Sequence, residues 1–523
     1  MRPQDKRPKT IHRTGARLEH RALRGSSVAG IGFFLTLAQS VAQVPLFISS
    51  LGSEQYGAWL SALALASMIT IIDASFQAYV GNIVQQEDSK SKASSERLLG
   101  SALKFSMLHA GVMISLILFL NLVYRSFNKS LNGTAILDSA TLILLQYYVS
   151  ATFVGIHVKL YAPRGRFATH AIWYHSARLL QFLACVASVS YFNTLNALVL
   201  TYSATGVIGS LLQEYDCGRR YGSIIRLARQ GTLREGVKLW ARSVGLSGSF
   251  LLDQVAQNGI VLMLTTWANL TAVSQFGTLR TVCNTAAAAI SALHAPVLPD
   301  LARLYSLGEG QKLGDVIQGL YYIQGWLLFI GALLTAAPFE YLYGLWTRGH
   351  LPLDQGLLFS MIVAVVLRSS SAPLTSFYYA NNAIGPQVGM AGLRAVVPFI
   401  IFLIVGQNIE LWHLGIAVVI SEGLASNLYC WRVWREYERQ IQIPERLLRW
   451  QALEALQAST IALIIGGVLL APHIAFAFSF IGAALIAVIQ QKRWVLIGSD
   501  AKLRIIALIP TRLSQRENLQ SPN

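Results

Sequence analysis

The chain has 523 residues, of which 54% are hydrophobic and 13% charged, about half the charge of an average soluble chain. At a mean hydropathy of +0.48 there is too little charge to cover a water-soluble body, so most of its surface must face lipid. Crossings of about 20 residues each leave room for short loops, a basic tail at each end and one longer connector, which excludes a separate soluble domain.

Residues 1–25 read as a basic tail. The run from Ser26 to Ser50 is too long for the apolar part of a cleaved signal and reads as the first membrane helix. Further apolar stretches follow near Tyr56 to Asn82, Leu98 to Tyr124, Ala135 to His157, Ala171 to Phe192 and Leu195 to Gln213. They complete a first bundle of six helices over residues 26–216. Residues 217–240 place Ile224, Ile225 and Leu227 among Arg and Lys, which suits an amphipathic connector on the inner leaflet; the other reading is a solvated loop. A second set of six runs from Ala241 to Thr266, Ala268 to Leu298, Leu320 to Trp346, Gly356 to Ala380, Gly385 to Gly406 and Leu411 to Trp431, filling residues 241–432. Two more runs, Leu453 to Ala471 and Ile474 to Ile489, fall within residues 433–490, and residues 491–523 form a second basic tail. The fold class expected is an all-α polytopic membrane protein of about fourteen transmembrane helices, two six-helix bundles plus two C-terminal helices.

The formal charge is +17, but the basic residues cluster between apolar runs as cytoplasmic loops do, so nucleic acid is not the partner expected and membrane lipid is. With both termini cytoplasmic, 35 of the 42 Lys and Arg fall on the inner side, three (Arg125, Lys129 and Arg348) fall outside, and four lie within spans. Cys185, Cys217, Cys283 and Cys430 are far apart and lack CxxC spacing, so neither a disulfide framework nor a zinc site is indicated. His170 and His175 lie near interfaces and read as anchors. Gly385 and Gly389 form a GxxxG step suited to close helix packing. Asn132-Gly133-Thr134 and Asn269-Leu270-Thr271 fit the glycosylation triplet, a pattern that arises often by chance.

The turn Leu51-Gly52-Ser53-Glu54-Gln55-Tyr56-Gly57 has a counterpart in Leu270-Thr271-Ala272-Val273-Ser274-Gln275-Phe276-Gly277. Each places Gln, an aromatic and Gly at the start of the following helix. Either a six-helix repeat or chance similarity of apolar sequence accounts for the match; a repeat of even helix number would put a cavity between two halves of like orientation. The segments LGSEQYGAW at residues 51–59, IIDASF at 71–76 and APVLPDLARLYSLGEGQ at 295–311 resemble the polysaccharide flippases (Wzx-like) of the multidrug, oligosaccharidyl-lipid and polysaccharide exporter superfamily. Many relatives carry Asp, one residue and then Gly where this chain has Asp73-Ala74-Ser75. The resemblance implies two six-helix bundles, two added C-terminal helices and alternating access. It also implies transport of undecaprenyl-pyrophosphate-linked glycan across the bacterial inner membrane for surface polysaccharides such as O-antigen or exopolysaccharide, beside a polysaccharide polymerase and chain-length machinery. It implies no cofactor; proton or sodium coupling stays open.

A charge at mid-bilayer costs about 2.5–3.5 kcal/mol on the insertion scale, so each embedded charge needs a partner or a function. The candidates are Arg178, Arg280, Arg368 and Arg394, with the acids Asp73, Asp253 and Glu422. Counted from their hairpin turns, Asp253 and Arg280 lie at similar depth, as do Arg394 and Glu422, so each couple can form a structural ion pair. Arg178, Arg368 and Asp73 have no such hairpin partner. A guanidinium facing a wet cavity suits a diphosphate because it stays charged and binds phosphate oxygens through two parallel N–H bonds, although Arg178 can also snorkel to the headgroups. Asp73 either closes an inner gate with a basic residue or carries a proton. Gln39 and Gln43, Asp253 and Gln257, and Arg280 and Asn284 recur at i,i+4 spacing, so each pair shares a helix face. They would line the cavity for sugar hydroxyls or bond helix to helix. Substrate binding is thus assigned to Arg178, Arg280, Arg368, Arg394, Gln39, Gln43, Gln257 and Asn284, and gating or coupling to Asp73, Asp253 and Glu422.

Two other functions compete. A cation-coupled drug antiporter of the same superfamily needs a cavity lined by acids, whereas four embedded Arg face three clear embedded acids. A membrane glycan polymerase needs a sizeable outer loop with catalytic groups, whereas Glu54, Asp138, Asp354 and Glu410 stand singly on short loops. No ATP-binding loop is present.

Overall fold

A computed structural model describes residues 10–88, 91–127, 131–294, 297–336, 339–381, 383–405, 410–441 and 475–496, with isolated positions 453, 456–457 and 460–461. The described residues are helical almost throughout, with no strand among them. The chain divides into two compact units, Met1–Gly277 with Trp346–Leu351, and Thr278–Leu345 with Pro352–Asn523.

In the first unit α1 covers Thr10–Asp88 and is broken at Gly52, whose φ of 76° and ψ of 170° no side chain tolerates easily. The last part of the basic tail is therefore helical, and the first two sequence runs become two arms of one element. The following elements are α2 (Lys92–Phe127), α3 (Leu131–Gln146), a π-helical turn at Tyr147–Ala151, α4 (Thr152–His157) and a 3₁₀ turn at Val158–Leu160. Next come α5 (Phe167–Phe192), α6 (Leu195–Tyr221), α7 (Ile224–Gln230), α8 (Leu233–Gln254), a second π-helical turn at Val255–Gly259, α9 (Ile260–Trp267) and α10 (Leu270–His294). The unit boundary at Gly277 falls within α10. Side-chain caps open several helices, as an N-cap oxygen satisfies a free backbone N–H: Thr194 accepts from Ala197, Ser223 from Arg226, Thr232 from Glu235 and Asn269 from Ala272. Asn269, one of the two glycosylation-like triplets, is thus a helix cap.

The segment read as the connector, residues 217–240, divides among three helices. Its start belongs to α6 and its end to α8, and α7 buries Leu227 and Ala228 against α2 while Ile225 stays exposed. A Cβ at Gly100 would collide with the Leu227 carbonyl, and one at Gly231 or Gly236 with the backbone of Ser101. Ser101 Oγ donates to Glu235 Oε2 at 2.8 Å, and Lys104 Nζ to the Gly231 carbonyl at 2.9 Å. Leu227 and Ala228 therefore meet protein, while Ile225, Leu233 and Val237 are exposed. The two matched turns also meet: Gly57 lies against the Leu270 carbonyl and Gly277 under Leu60, while the Ser53 and Thr271 hydroxyls are 3.4 Å apart.

The second unit continues with α11 (Leu298–Ser306), α12 (Gly310–Ala336), α13 (Phe339–Thr347), α14 (Gln355–Ser370) and α15 (Ala372–Ala380). Then come α16 (Ile384–Val405), α17 (Leu411–Glu422), a π-helical turn at Gly423–Tyr429, α18 (Cys430–Ile441) and α19 (Ala475–Leu496). Its core packs Leu301, Leu313, Ile317, Tyr321, Phe377, Tyr378 and Trp434. Of the GxxxG step, Gly389 seats the Tyr429 ring while Gly385 has open space. Six helices among the described residues are long and apolar enough to cross a bilayer, or seven with α14 and α15, bent by 50°, taken as one. One of these, Phe34–Gln85, has 52 residues, about twice what a crossing needs, and Gly52 divides it. Among the described residues the count of fourteen is not reached. α5 and α10, at 26 and 25 residues, have the length but carry polar residues including Arg178 and Arg280, and the run 453–471 lies almost wholly outside the described residues.

Candidate functional site

The first unit encloses a cavity of about 350 Å³ between α1, the α3–α4 junction, α5 and α6. On α5 a polar stripe at successive turns, His170, Tyr174, Arg178 and Gln181, forms one wall; this spacing keeps side chains on one helix face. Arg178 is exposed, its guanidinium 5.5 Å from the centre of the Tyr174 ring, a cation–π distance. Gln77 of α1, Gln146 at the end of α3, Lys159 of the 3₁₀ turn and Gln213 of α6 complete the polar lining.

Four amides are held in place. Gln77 Nε2 donates to Tyr147 Oη at 3.1 Å, Gln181 Nε2 to the Tyr202 carbonyl at 2.8 Å and Gln146 Nε2 to Ser150 Oγ at 3.5 Å; Gln213 Nε2 lies 3.1 Å from His170 Nδ1. Glycines on facing helices make room for them. A Cβ on Gly155 would strike Gln77 Oε1, and one on Gly206 would stand 3.0 Å from Gln146 Nε2 and 3.1 Å from Gln181 Nε2. Among the lining residues there is no Asp or Glu, so Arg178 and Lys159 set the sign of the cavity. A cavity lined in this way offers two cationic groups to an anion and four amides to hydroxyls.

The end of this unit that the sequence assigns to the cytoplasm is tied by short polar contacts and ion pairs. His157 Nδ1 lies 2.6 Å from Glu214 Oε2, Arg164 Nη2 2.7 Å from Glu96 and 3.6 Å from Asp88, and Arg220 Nη2 2.7 Å from Asp216. Tyr161 Oη donates to Asp216 at 2.6 Å. Deeper in the unit, Asp73 Oδ1 lies 3.1 Å from His109 Nδ1 of α2.

The second unit holds a polar cluster of its own. Arg394 Nε donates to Glu422 Oε2 at 3.0 Å and Arg394 Nη2 to Ser426 Oγ at 2.9 Å, while Ser426 Oγ itself donates to Glu422 Oε2 at 2.8 Å. Arg368 Nη1 stands 4.0 Å from the other oxygen of Glu422. The Arg368 side chain is 43% exposed against 12% for Arg394, so the single carboxylate is committed to Arg394, and Arg368 is the guanidinium left open.

Of the sequence candidates, Arg368, Arg394 and Glu422 come together in the second unit, and Arg178 lines the cavity of the first. Gln39 and Gln43 are half-buried on α1, and Gln39 Nε2 has no hydrogen-bond partner among the described residues. Asp253 and Gln257, half-buried, belong to the first unit, whereas Arg280, half-buried, and Asn284, exposed, belong to the second. His170, read as an interface anchor, lines the cavity instead, and His175 packs over Gly32. Sequence reasoning missed Lys159, Tyr174, Gln77, Gln146, Gln181 and Gln213. The i, i+4, i+8 and i+11 spacing of the α5 stripe was the available signal, while the other residues come from separate helices.

No protein-family model matches the sequence, and no curated protein does. Solved structures match the fold. An inward-facing multidrug resistance MATE family transporter of the MOP superfamily gives a TM-score of 0.62 at 14% identity, covering 77% of this chain and 95% of that one. The lipid II flippase MurJ, in an inward closed conformation, gives 0.60 at 12% identity over 90% of this chain and 99% of its own. A MATE transporter of Vibrio cholerae gives 0.57 at 12% identity, over 81% and 98%. The fold is thus that of these multi-pass helical membrane proteins.

Proposed function

We propose that this chain is a flippase that carries a lipid-linked glycan, of the undecaprenyl-pyrophosphate class, across the bacterial inner membrane for surface polysaccharide synthesis. One observation carries this reading: the cavity of the first unit presents Arg178 and Lys159 with four glutamines and has no carboxylate in its lining. Guanidinium and ammonium bind the pyrophosphate. The amides bond the sugar hydroxyls, and the polyprenyl tail stays in lipid, where its burial costs nothing. Arg368, Arg394 and Arg280, with Gln39, Gln43, Gln257 and Asn284, are further substrate contacts in this proposal, and Asp73, Asp253 and Glu422 are gating or coupling groups. Export proceeds by alternating access, driven by an ion gradient, with both termini cytoplasmic. A polysaccharide polymerase and chain-length machinery act on the product.

The MATE-like fold favours a second reading, the antiport of cationic drugs. Such a ligand would meet like charge at Arg178 and Lys159, which disfavours it. The test is export of lipid-linked glycan in cells in which Arg178→Ala and Lys159→Ala replace the native residues together. Glycan accumulating on the cytoplasmic leaflet, with normal protein level, supports the flippase. Unchanged export refutes it, and loss of resistance to cationic dyes with normal glycan export supports the antiporter.

A further inference from the structure

We propose that a second cavity of the first unit, at the end opposite Arg178, binds neutral sugars of the glycan on the outer side of the membrane. Its part in export rests on the flippase reading; the site itself rests on geometry.

The cavity has about 510 Å³, within the range of about 300–1,000 Å³ usual for small-molecule sites. It lies between the turn after Gly52, the end of α2, the start of α3 and the α9–α10 turn. Glu54 of this cavity and Gln77 of the Arg178 cavity stand on one arm of α1. The helix runs unbroken between them, about 35 Å at about 1.5 Å per residue, slightly more than the hydrocarbon thickness of about 30 Å. The two cavities therefore belong to opposite membrane surfaces, and the bias of basic residues assigns this one to the outside.

Both walls are pinned before any ligand arrives. Arg125 binds Asp138 through Nε at 3.1 Å and Nη2 at 2.6 Å. Asn121 Nδ2 donates to Asp138 Oδ1 at 3.1 Å and to Thr141 Oγ1 at 2.9 Å. These bonds fix α2 to α3 beside the lining residues Tyr124 and Leu137. On the other wall the Ser61 and Thr265 hydroxyls are 2.6 Å apart, and Ser274 Oγ donates to the Ser53 carbonyl. A pocket set in advance loses little free energy to ordering when it binds.

The lining is chemically unlike that of the first cavity. Among the described lining residues Glu54 alone is charged, so a pyrophosphate meets a carboxylate here and is repelled. Glu54 is exposed, and an exposed carboxylate holds a simple cation weakly because water screens it. It remains a good acceptor for hydroxyls, since bonds to an ionised oxygen are shorter and stronger than neutral ones. Asn269 Oδ1 is committed to the Ala272 N–H, which leaves its Nδ2 to donate. Thr266 Oγ1 donates to the Leu262 and Met263 carbonyls, which leaves its lone pairs to accept. Leu65, Leu137 and Tyr124 add apolar surface beside these groups. A sugar ring offers both complements: hydroxyls that give and receive along its rim, and C–H faces that pack on aliphatic and aromatic side chains. In the flippase reading the two ends then differ in what they hold. The inner cavity takes the diphosphate, and the outer one takes sugars that have crossed while repelling the phosphates behind them.

The test measures protection of a thiol in the full chain in lipid nanodiscs. Ala268 is an exposed lining residue, and the Ala268→Cys protein is labelled with a maleimide; the native cysteines are buried and react little. The probe is oligosaccharide freed by mild acid from the lipid-linked pool of the producing cells. At about ten times its dissociation constant it should slow labelling about ten-fold. Adding Glu54→Gln, which keeps the shape, should raise the half-protecting concentration about five-fold or more. Leu137→Trp, which fills the pocket, should abolish protection. Glu54→Gln changes an exposed side chain, so it decides the matter even where Leu137→Trp fails to fold. Labelling that the oligosaccharide leaves unchanged overturns the proposal, as does equal protection in Glu54→Gln, or protection by choline or inorganic pyrophosphate instead. The flippase reading is decided separately by export in the Arg178→Ala, Lys159→Ala cells. Export lost there without sugar protection here removes the outer site alone; protection with export unchanged removes the flippase reading alone.

Discussion

Replacing Glu422 with Gln isolates the electrostatics of the second unit. Gln has nearly the same shape and keeps a carbonyl that accepts from Arg394 and Ser426, so the substitution removes charge and little else. The cluster then passes from one carboxylate facing two guanidiniums to two guanidiniums alone. Glu422 is 6% exposed, and Arg394 Nε lies 3.0 Å from it. A contact of unit charges near 4 Å is worth about 4 kcal/mol at an effective dielectric of about 20. Arg368, at 4.0 Å and 43% exposed, is largely screened and adds little to this. Breaking a buried pair from one side costs about 3–5 kcal/mol, and the retained acceptor places Glu422→Gln near the lower end, at about 3 kcal/mol. The assay is denaturant unfolding of the purified protein in micelles. The triple variant Glu422→Leu, Arg394→Met and Ser426→Ala serves as control, because it removes both charges of the buried pair together with the buried hydroxyl bonded to them; it should fall within about 1 kcal/mol of the native protein. If Glu422→Gln alone changes stability by less than about 0.5 kcal/mol, the electrostatic account of this cluster is wrong.

Two glycine substitutions test the seats described above. Gly206→Ala sets a methyl group about 3 Å from the amides of Gln146 and Gln181; it should lower ligand affinity several-fold, measured by titration of undecaprenyl pyrophosphate, and shift unfolding by less than about 1 kcal/mol, since side-chain ends can yield. Gly57→Ala meets the Leu270 backbone carbonyl, which cannot yield, so it should destabilise the protein by about 1–3 kcal/mol in the same unfolding assay.

The helical membrane fold was legible because hydropathy and the basic-residue bias report on separate properties, lipid contact and loop side. Counting depth from a hairpin turn also brought Arg394 and Glu422 to one level, and they lie 3.0 Å apart. The same count passed over Asp73 and His109 because only permanent cations were considered as partners for an embedded acid. Gly52 was legible as a turn residue but not as a kink within continuous helix, since no residue nearby forces the backbone to leave helical bonding. The packing of the connector was illegible for another reason. Isoleucine and leucine between arginines look the same whether the apolar side meets lipid or α2, and only the glycines at 100, 231 and 236 distinguish the cases. The cavity walls were the least legible, because residues 77, 146, 159 and 213 become neighbours only once α1, α3 and α6 have packed around α5.

The glutamine lining has a consequence for discrimination. A primary amide both gives and receives a hydrogen bond and has no charge to lose, so it greets an axial hydroxyl about as readily as an equatorial one. Chambers furnished this way sort cargo by bulk and by the sign of its anionic end. Under the flippase proposal, a change in the sugars carried would therefore not require this wall to be rebuilt.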